Sequence, residues 1–133
     1  MPSPSQEEAW KKLADVCVRA ALYDSSDRQP FSQCLPGTRT SLLETLRESV
    51  QREQSNLIFL TGESGSGKSA VAHTFAQEHR ENELAATFFF SRQHPGRRNT
   101  DHFLPTISYQ LGLLHHLAQE TITRAITRDP SLL

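Results

Sequence analysis

The chain has 133 residues, a formal net charge of −1 at neutral pH and an isoelectric point of about 6.6. This length is enough for one domain or part of one. Because a nucleic-acid-binding domain usually carries a strongly basic face, this charge balance argues against a nucleic-acid partner. No apolar stretch approaches the roughly 20 residues that span a bilayer, so we expect a cytoplasmic protein with no membrane partner.

The first part of the chain predicts two helices separated by a loop. Apolar residues recur at helical spacing from about residue 7 to residue 22, and again from about 41 to 52. Aspartate, serine, proline and glycine are concentrated between residues 24 and 37, as is typical of a loop. We therefore predict a helical lead-in and linker over residues 1–33, and a second region over residues 34–133.

The middle of the chain predicts a strand, a glycine-rich loop, a helix and a second strand. Leu57 to Leu60 is a continuous apolar run of the kind that forms a strand buried on both faces. A helical pattern follows as far as about Arg80, and Leu84 to Ser91 is the second predicted strand. This order is a βαβ unit with parallel strands. The predicted fold class is therefore α/β, a partial P-loop NTPase fold, with a helical C-terminal segment that begins near Asp101.

The glycine-rich loop matches the pattern G-x-x-x-x-G-K-[ST] in full. Its glycines let successive backbone N–H groups approach and surround a phosphate, next to the N-terminus of the following helix. Lys68 would reach the β- and γ-phosphates, and the hydroxyl of Ser69 would bind magnesium. The loop predicts a site for Mg²⁺ with ATP or GTP, formed by Gly62, Glu63, Ser64, Gly65, Ser66, Gly67, Lys68, Ser69 and Ala70.

A second acidic motif is not visible after the loop. A working P-loop NTPase also needs an apolar strand that ends in an acidic residue, which holds magnesium and helps to position water. Here the apolar run Phe88 to Phe90 is followed by Ser91 and Arg92. We therefore assign no catalytic residue and expect weak or no hydrolysis. The basic residues Arg92, Arg97 and Arg98 either face a phosphate or belong to a solvated loop.

Four blocks of the sequence resemble one known family. They are Cys34 to Arg39, Leu60 to Ala70, Ala86 to Arg92, and Phe103 to Leu111. Together they look like the fungal NACHT type of P-loop NTPase domain, a group also described as nephrocystin-like N-terminal domains. That group belongs to the STAND class of signalling ATPases, which are relatives of NOD-like receptors.

The resemblance implies a conformational switch that is driven by ATP or GTP with magnesium. It also implies a pocket for the nucleotide base at Gly37, Thr38 and Arg39, and protein partners or self-association. The family's acidic motif would lie beyond Leu133, so the resemblance implies a domain truncated before that motif.

Two other functions stay open at this point, and whether the chain is an enzyme stays open with them. A small P-loop kinase would need an acceptor site, an acidic metal-binding partner and a basic lid, and the sequence offers a candidate only for the lid, at Arg97 and Arg98. A non-catalytic interaction module would need no nucleotide at all. Nucleotide titration separates the interaction module from the other two functions.

Overall fold

The computed structural model describes residues 1–23, 37–52 and 57–133. The predicted boundary between residues 33 and 34 lies outside these ranges and stays a prediction. The described chain divides into two compact units, one formed by residues 1–23 and 84–133 and the other by residues 37–52 and 57–83. Its α-helices are α1 (Pro4–Val16), α2 (Thr40–Gln51), α3 (Lys68–His79), α4 (Phe103–Leu114) and α5 (His116–Arg128). Short 3₁₀ turns occur at Arg19–Ala21, Pro95–Arg97 and Pro130–Leu132.

Helix α1 begins earlier than predicted because Ser3 caps it. The Ser3 hydroxyl accepts a hydrogen bond from the backbone N–H of Gln6 at 3.3 Å, and the Gln6 side chain accepts one from the Ser3 N–H at 2.9 Å. This capping box satisfies two N–H groups at the helix start, and Pro4 suits the first helical position. The helix ends at Val16, before a separate 3₁₀ turn, rather than continuing to Leu22.

The first unit is built on the packing of α1 against α4 and α5. Ala9 and Leu13 from α1 and Ile126 from α5 are buried together. The Trp10 ring stacks on the Tyr109 ring of α4 with 4.8 Å between centroids, which adds aromatic contact at the edge of this core. The apolar stripe of the N-terminal helix therefore covers the two C-terminal helices.

The predicted α/β fold is wrong for the part of the chain that the structure describes. No residue within ranges 1–23, 37–52 and 57–133 belongs to a β-strand. The predicted strand Leu57 to Leu60 is not buried on both faces, since Leu57 is 66% exposed and Phe59 is 80% exposed. An apolar run indicates a buried strand only where neighbouring strands and helices cover it, and the run itself does not specify that cover.

The second predicted strand, Leu84 to Ser91, pairs its backbone groups with a side chain and a turn instead of with another strand. The Thr87 N–H donates to Oε1 of Gln110 at 2.9 Å, and the Thr87 carbonyl accepts from Nε2 of the same side chain at 2.8 Å. The Phe89 N–H donates to the Ala21 carbonyl at 2.7 Å. A glutamine side chain and a 3₁₀ turn thus take the place of the ladder that a parallel sheet would need.

The second unit contains α2 and α3. Leu43 is buried on α2, while Val71, His73 and Ala76 are buried on α3. Arg47 from α2 holds Glu78 from α3 with two hydrogen bonds, at 2.9 and 2.6 Å.

Over the described residues, no helix combines the length and apolar character that a membrane crossing requires.

Candidate functional site

The glycine-rich loop forms a tight turn that leads directly into α3. The backbone N–H of Ser66 donates to the Glu63 carbonyl at 3.1 Å, which closes the turn. Gly65 and Gly67 have φ angles of +78° and +89°, a region where residues with a Cβ are strained. Glycine at these two positions therefore allows this path of the loop, and the helix predicted after the loop begins at Lys68.

The N-terminus of α3 presents backbone donors next to the loop. Gly67 is the N-cap residue and makes no side-chain cap, so no side chain at the cap satisfies the first N–H groups of the helix. Those groups have no partner within the helix, and they carry the positive end of the helix dipole. Both the unpaired N–H groups and the helix dipole therefore favour an anion at this end of the 12-residue helix.

Lys68 is bonded to its own loop in this structure. Its ammonium donates to the carbonyl oxygens of Gly62 at 2.7 Å and Glu63 at 2.6 Å, and contacts the Ser66 hydroxyl at 3.3 Å. A lysine ammonium has three N–H donors, so these acceptors can use all of them. A phosphate would have to replace these neutral acceptors with charged oxygens, which form stronger hydrogen bonds with an ammonium.

The space around the loop is open on one side. A Cβ at Gly65 would meet no atom within 4 Å, whereas a Cβ at Gly62 would lie 2.8 Å from the Ser66 Oγ. The Ser69 hydroxyl belongs to an exposed residue in the first turn of α3. The Lys68 ammonium and the helix N–H groups could donate to phosphate oxygens, and the oxygen of the Ser69 hydroxyl could bind magnesium. Lys68 and Ser69 would therefore hold a magnesium-bound phosphate.

The structure brings one of the three predicted base-pocket residues onto the loop. Arg39 Nη2 donates to the Ser66 carbonyl at 2.5 Å, and Arg39 is the N-cap residue of α2. Gly37 and Thr38 lie in the turn before this helix, where the Thr40 hydroxyl donates to the Gly37 carbonyl at 3.3 Å. The resemblance placed Arg39 at the nucleotide site, but a separation of 27 positions along the chain carries no spacing signal for its contact with Ser66, so sequence reasoning missed that contact.

One of the basic residues after the segment Leu84 to Ser91 is bonded to that segment. Arg97 Nε donates to the Phe89 carbonyl at 2.8 Å, and its own carbonyl accepts from the Ser91 N–H at 2.9 Å. Arg97 therefore fixes that segment within the first unit. This contact gives Arg97 a structural role in the first unit.

Comparison with known proteins identifies the family. A family model described as Nephrocystin 3, N-terminal, matches residues 37–132, most of the chain and the whole glycine-rich loop. The chain belongs to this family. The resemblance to nephrocystin-like N-terminal domains is thus confirmed, and the Nephrocystin 3 N-terminal match begins at Gly37, two residues before the arginine that contacts the loop. No curated protein and no solved structure matches the chain.

Proposed function

We propose that this chain binds a magnesium-complexed nucleoside triphosphate at residues Gly62 to Ala70. One observation carries the proposal: the loop with the complete phosphate-binding pattern runs directly into α3, whose N-terminus has no side-chain cap. Backbone donors, the helix dipole and the Lys68 ammonium all favour an anion at that place.

Magnesium would be held mainly by the phosphates. Ser69 offers one hydroxyl ligand, and Mg²⁺ keeps several waters when it binds with substrate phosphates. Among the described residues, no group of three or more His, Cys, Asp or Glu side chains could hold a metal ion. Affinity for the triphosphate should therefore rise with magnesium, while magnesium alone should bind weakly.

The finer part of the proposal is a NACHT-type signalling NTPase that works as a nucleotide switch in the cytoplasm. Its support is the chain's membership of the nephrocystin 3 N-terminal family, which is a broader assignment than a NACHT-type NTPase. Gly37, Thr38 and Arg39 are the proposed base pocket, and ATP and GTP are both candidate ligands. Protein partners or self-association would transmit the switch.

Hydrolysis is expected to be slow. Phosphoryl transfer to water needs a group that positions the attacking water and a carboxylate that helps to hold magnesium. The sequence after Ser69 has no apolar strand ending in an acid. Binding without appreciable turnover is the activity that these residues support.

Calorimetric titration of the full chain with Mg·ATP, Mg·GTP and magnesium tripolyphosphate tests this function. We expect saturable binding of at least one nucleotide and of tripolyphosphate, with almost no phosphate release. A chain that melts cooperatively yet binds none of the three ligands would show that the loop is not a nucleotide site. Rapid transfer of phosphate to a metabolite would instead indicate a kinase.

A further inference from the structure

Arg39 has an unusual backbone conformation at the point where it meets the phosphate loop. Its φ and ψ angles are 57° and 20°, in the left-handed region. Among the described residues, it is the only one other than glycine with a positive φ. Such a conformation is unfavourable for a residue with a Cβ and persists where surrounding contacts hold it, often at functional sites.

The guanidinium of Arg39 is one of those contacts. Its Nη2 lies 2.5 Å from the Ser66 carbonyl oxygen and 3.5 Å from the place that a Cβ on Gly67 would occupy. Arg39 therefore lies beside the Ser66–Gly67 peptide, which connects the loop to α3. A Cβ at Gly67 would be in ordinary van der Waals contact with this guanidinium, so it is the positive φ that favours glycine at this position.

The geometry of a peptide group links this contact to phosphate binding. No peptide bond in the described ranges is cis, and in a trans peptide the C=O and N–H groups point in opposite directions. When Arg39 holds the Ser66 carbonyl, the Gly67 N–H must point away from Arg39. That N–H is one of the loop donors that surround a phosphate in this motif. A charged donor on the carbonyl also polarises the peptide and strengthens its N–H as a donor.

We propose that Arg39 is a positioning residue for the phosphate site, acting through the Ser66–Gly67 peptide. It orients the Gly67 N–H and fixes the start of α3 before any ligand arrives. The inference rests on the proposed nucleotide binding and deepens it. For Arg39 it replaces the base-pocket role proposed above, because a residue that orients the phosphate donors affects every triphosphate alike, with or without a base. Gly37 and Thr38 remain the proposed base pocket.

The decisive variant is Arg39→Gly, compared with Arg39→Lys. Glycine adopts a φ of +57° without strain, so this substitution removes the guanidinium and leaves the backbone path available. Lysine keeps the charge but loses the planar donor group. Arg52→Ala is the matched control, because Arg52 follows the other end of α2 and pairs with Glu48 on the exposed surface.

Affinities for Mg·ATP and for magnesium tripolyphosphate are measured by calorimetry for all four proteins, together with their melting temperatures. We expect Arg39→Gly to lower the affinity for both ligands by the same factor, about tenfold, and to leave the melting temperature unchanged. Arg39→Lys should restore part of the loss, and Arg52→Ala should bind as the wild type does. The Gly67 amide resonance of the ligand-free protein should move in Arg39→Gly and stay in place in Arg52→Ala.

Two results would overturn the inference while leaving nucleotide binding intact. In the first, Arg39→Gly binds both ligands as tightly as the wild type. In the second, it loses affinity for ATP alone, which would make Arg39 a base-pocket residue. A wild-type chain that binds neither ligand would instead refute the proposed function, and this inference with it.

Discussion

The Lys68 ammonium lies 2.7 Å from the carbonyl oxygen of Gly62, so a hydrogen bond joins the two ends of the glycine-rich loop. A second bond, to the Glu63 carbonyl at 2.6 Å, reinforces this closure. The loop is therefore closed by the same Lys68 ammonium that would pair with a triphosphate. Binding must break these contacts before Lys68 can pair with phosphate oxygens.

Lys68→Ala should weaken triphosphate binding by about tenfold to a hundredfold, the range expected for losing a hydrogen bond to a charged group. The helix should stay folded, because its buried side chains are Val71, His73 and Ala76. Calorimetry with magnesium tripolyphosphate measures the effect without any contribution from a base. Lys12→Ala is the control, since Lys12 pairs with Glu8 on the exposed face of α1. Equal loss in both variants would point to general electrostatics rather than to the loop.

Ser69→Ala should reduce the gain in triphosphate affinity that magnesium gives. The affinity measured without magnesium should change less. The hydroxyl is the one magnesium ligand that the loop motif supplies. Titrations with tripolyphosphate at increasing magnesium concentration should show a smaller gain in affinity for the variant than for the wild type. Ser49→Ala provides the same substitution on α2, where the hydroxyl donates to the Thr45 carbonyl at 2.7 Å. An unchanged magnesium response in Ser69→Ala would exclude this hydroxyl as a ligand.

The local signals in the sequence predicted part of this structure. Helical spacing identified the helices, and the glycine pattern placed the loop directly before α3. The strands were wrong because a short apolar run shows hydrophobicity but not which groups pair with its backbone. Gln110 takes up the Thr87 backbone groups from 23 residues away, and Arg39 reaches Ser66 across 27 residues. Both are single side-chain contacts without any periodicity, so the sequence alone does not reveal them.

Gln110→Leu should destabilise the first unit by about 1–3 kcal/mol, because it leaves the Thr87 N–H and carbonyl without the amide that pairs with both. Leucine has a similar size, so packing changes are kept small. Urea denaturation followed by circular dichroism gives the difference in the free energy of unfolding. Gln77→Leu on α3 is the control, with an expected change within about 0.5 kcal/mol. If Gln110→Leu leaves the free energy of unfolding unchanged, water replaces the amide without loss of stability.

Gly112→Ala should also destabilise the first unit, although alanine is the better helix former. A Cβ at Gly112 would lie 2.6 Å from the Trp10 ring, whose stacking on Tyr109 limits its movement. Overpacking costs about 1–3 kcal/mol, against a gain of about 1 kcal/mol in helix propensity. In a Trp10→Phe background the smaller ring leaves room, so the same substitution should cost less there. Additive effects in this double-mutant cycle would show that the ring is not what limits position 112.

The last prediction concerns pH and the ion pair between α2 and α3. Two hydrogen bonds from Arg47 hold the pKa of Glu78 below its usual value, and the charge of Arg47 acts in the same direction. A carboxylate whose pKa is lowered in the folded state stabilises that state above the unfolded pKa, which is about 4.3 for glutamate. The contribution is lost as the pH falls through the lower, folded-state value. Because the pair is partly exposed, solvent screens it and its contribution at neutral pH should be small.

Glu78→Gln should therefore be less stable than the wild type at about pH 7, and the difference should shrink as the pH falls toward about 3. Glutamine keeps the shape and one acceptor but does not titrate, so the comparison isolates the charge. Free energies of unfolding at a series of pH values measure the difference, with ionic strength held constant because salt screens exposed pairs. Glu48→Gln is the control, as its pair with Arg52 lies at the C-terminal end of α2, is mostly exposed and spans 3.3 Å. A stability difference for Glu78→Gln that stays constant with pH would mean that packing, rather than the ion pair with Arg47, sets the contribution of this side chain.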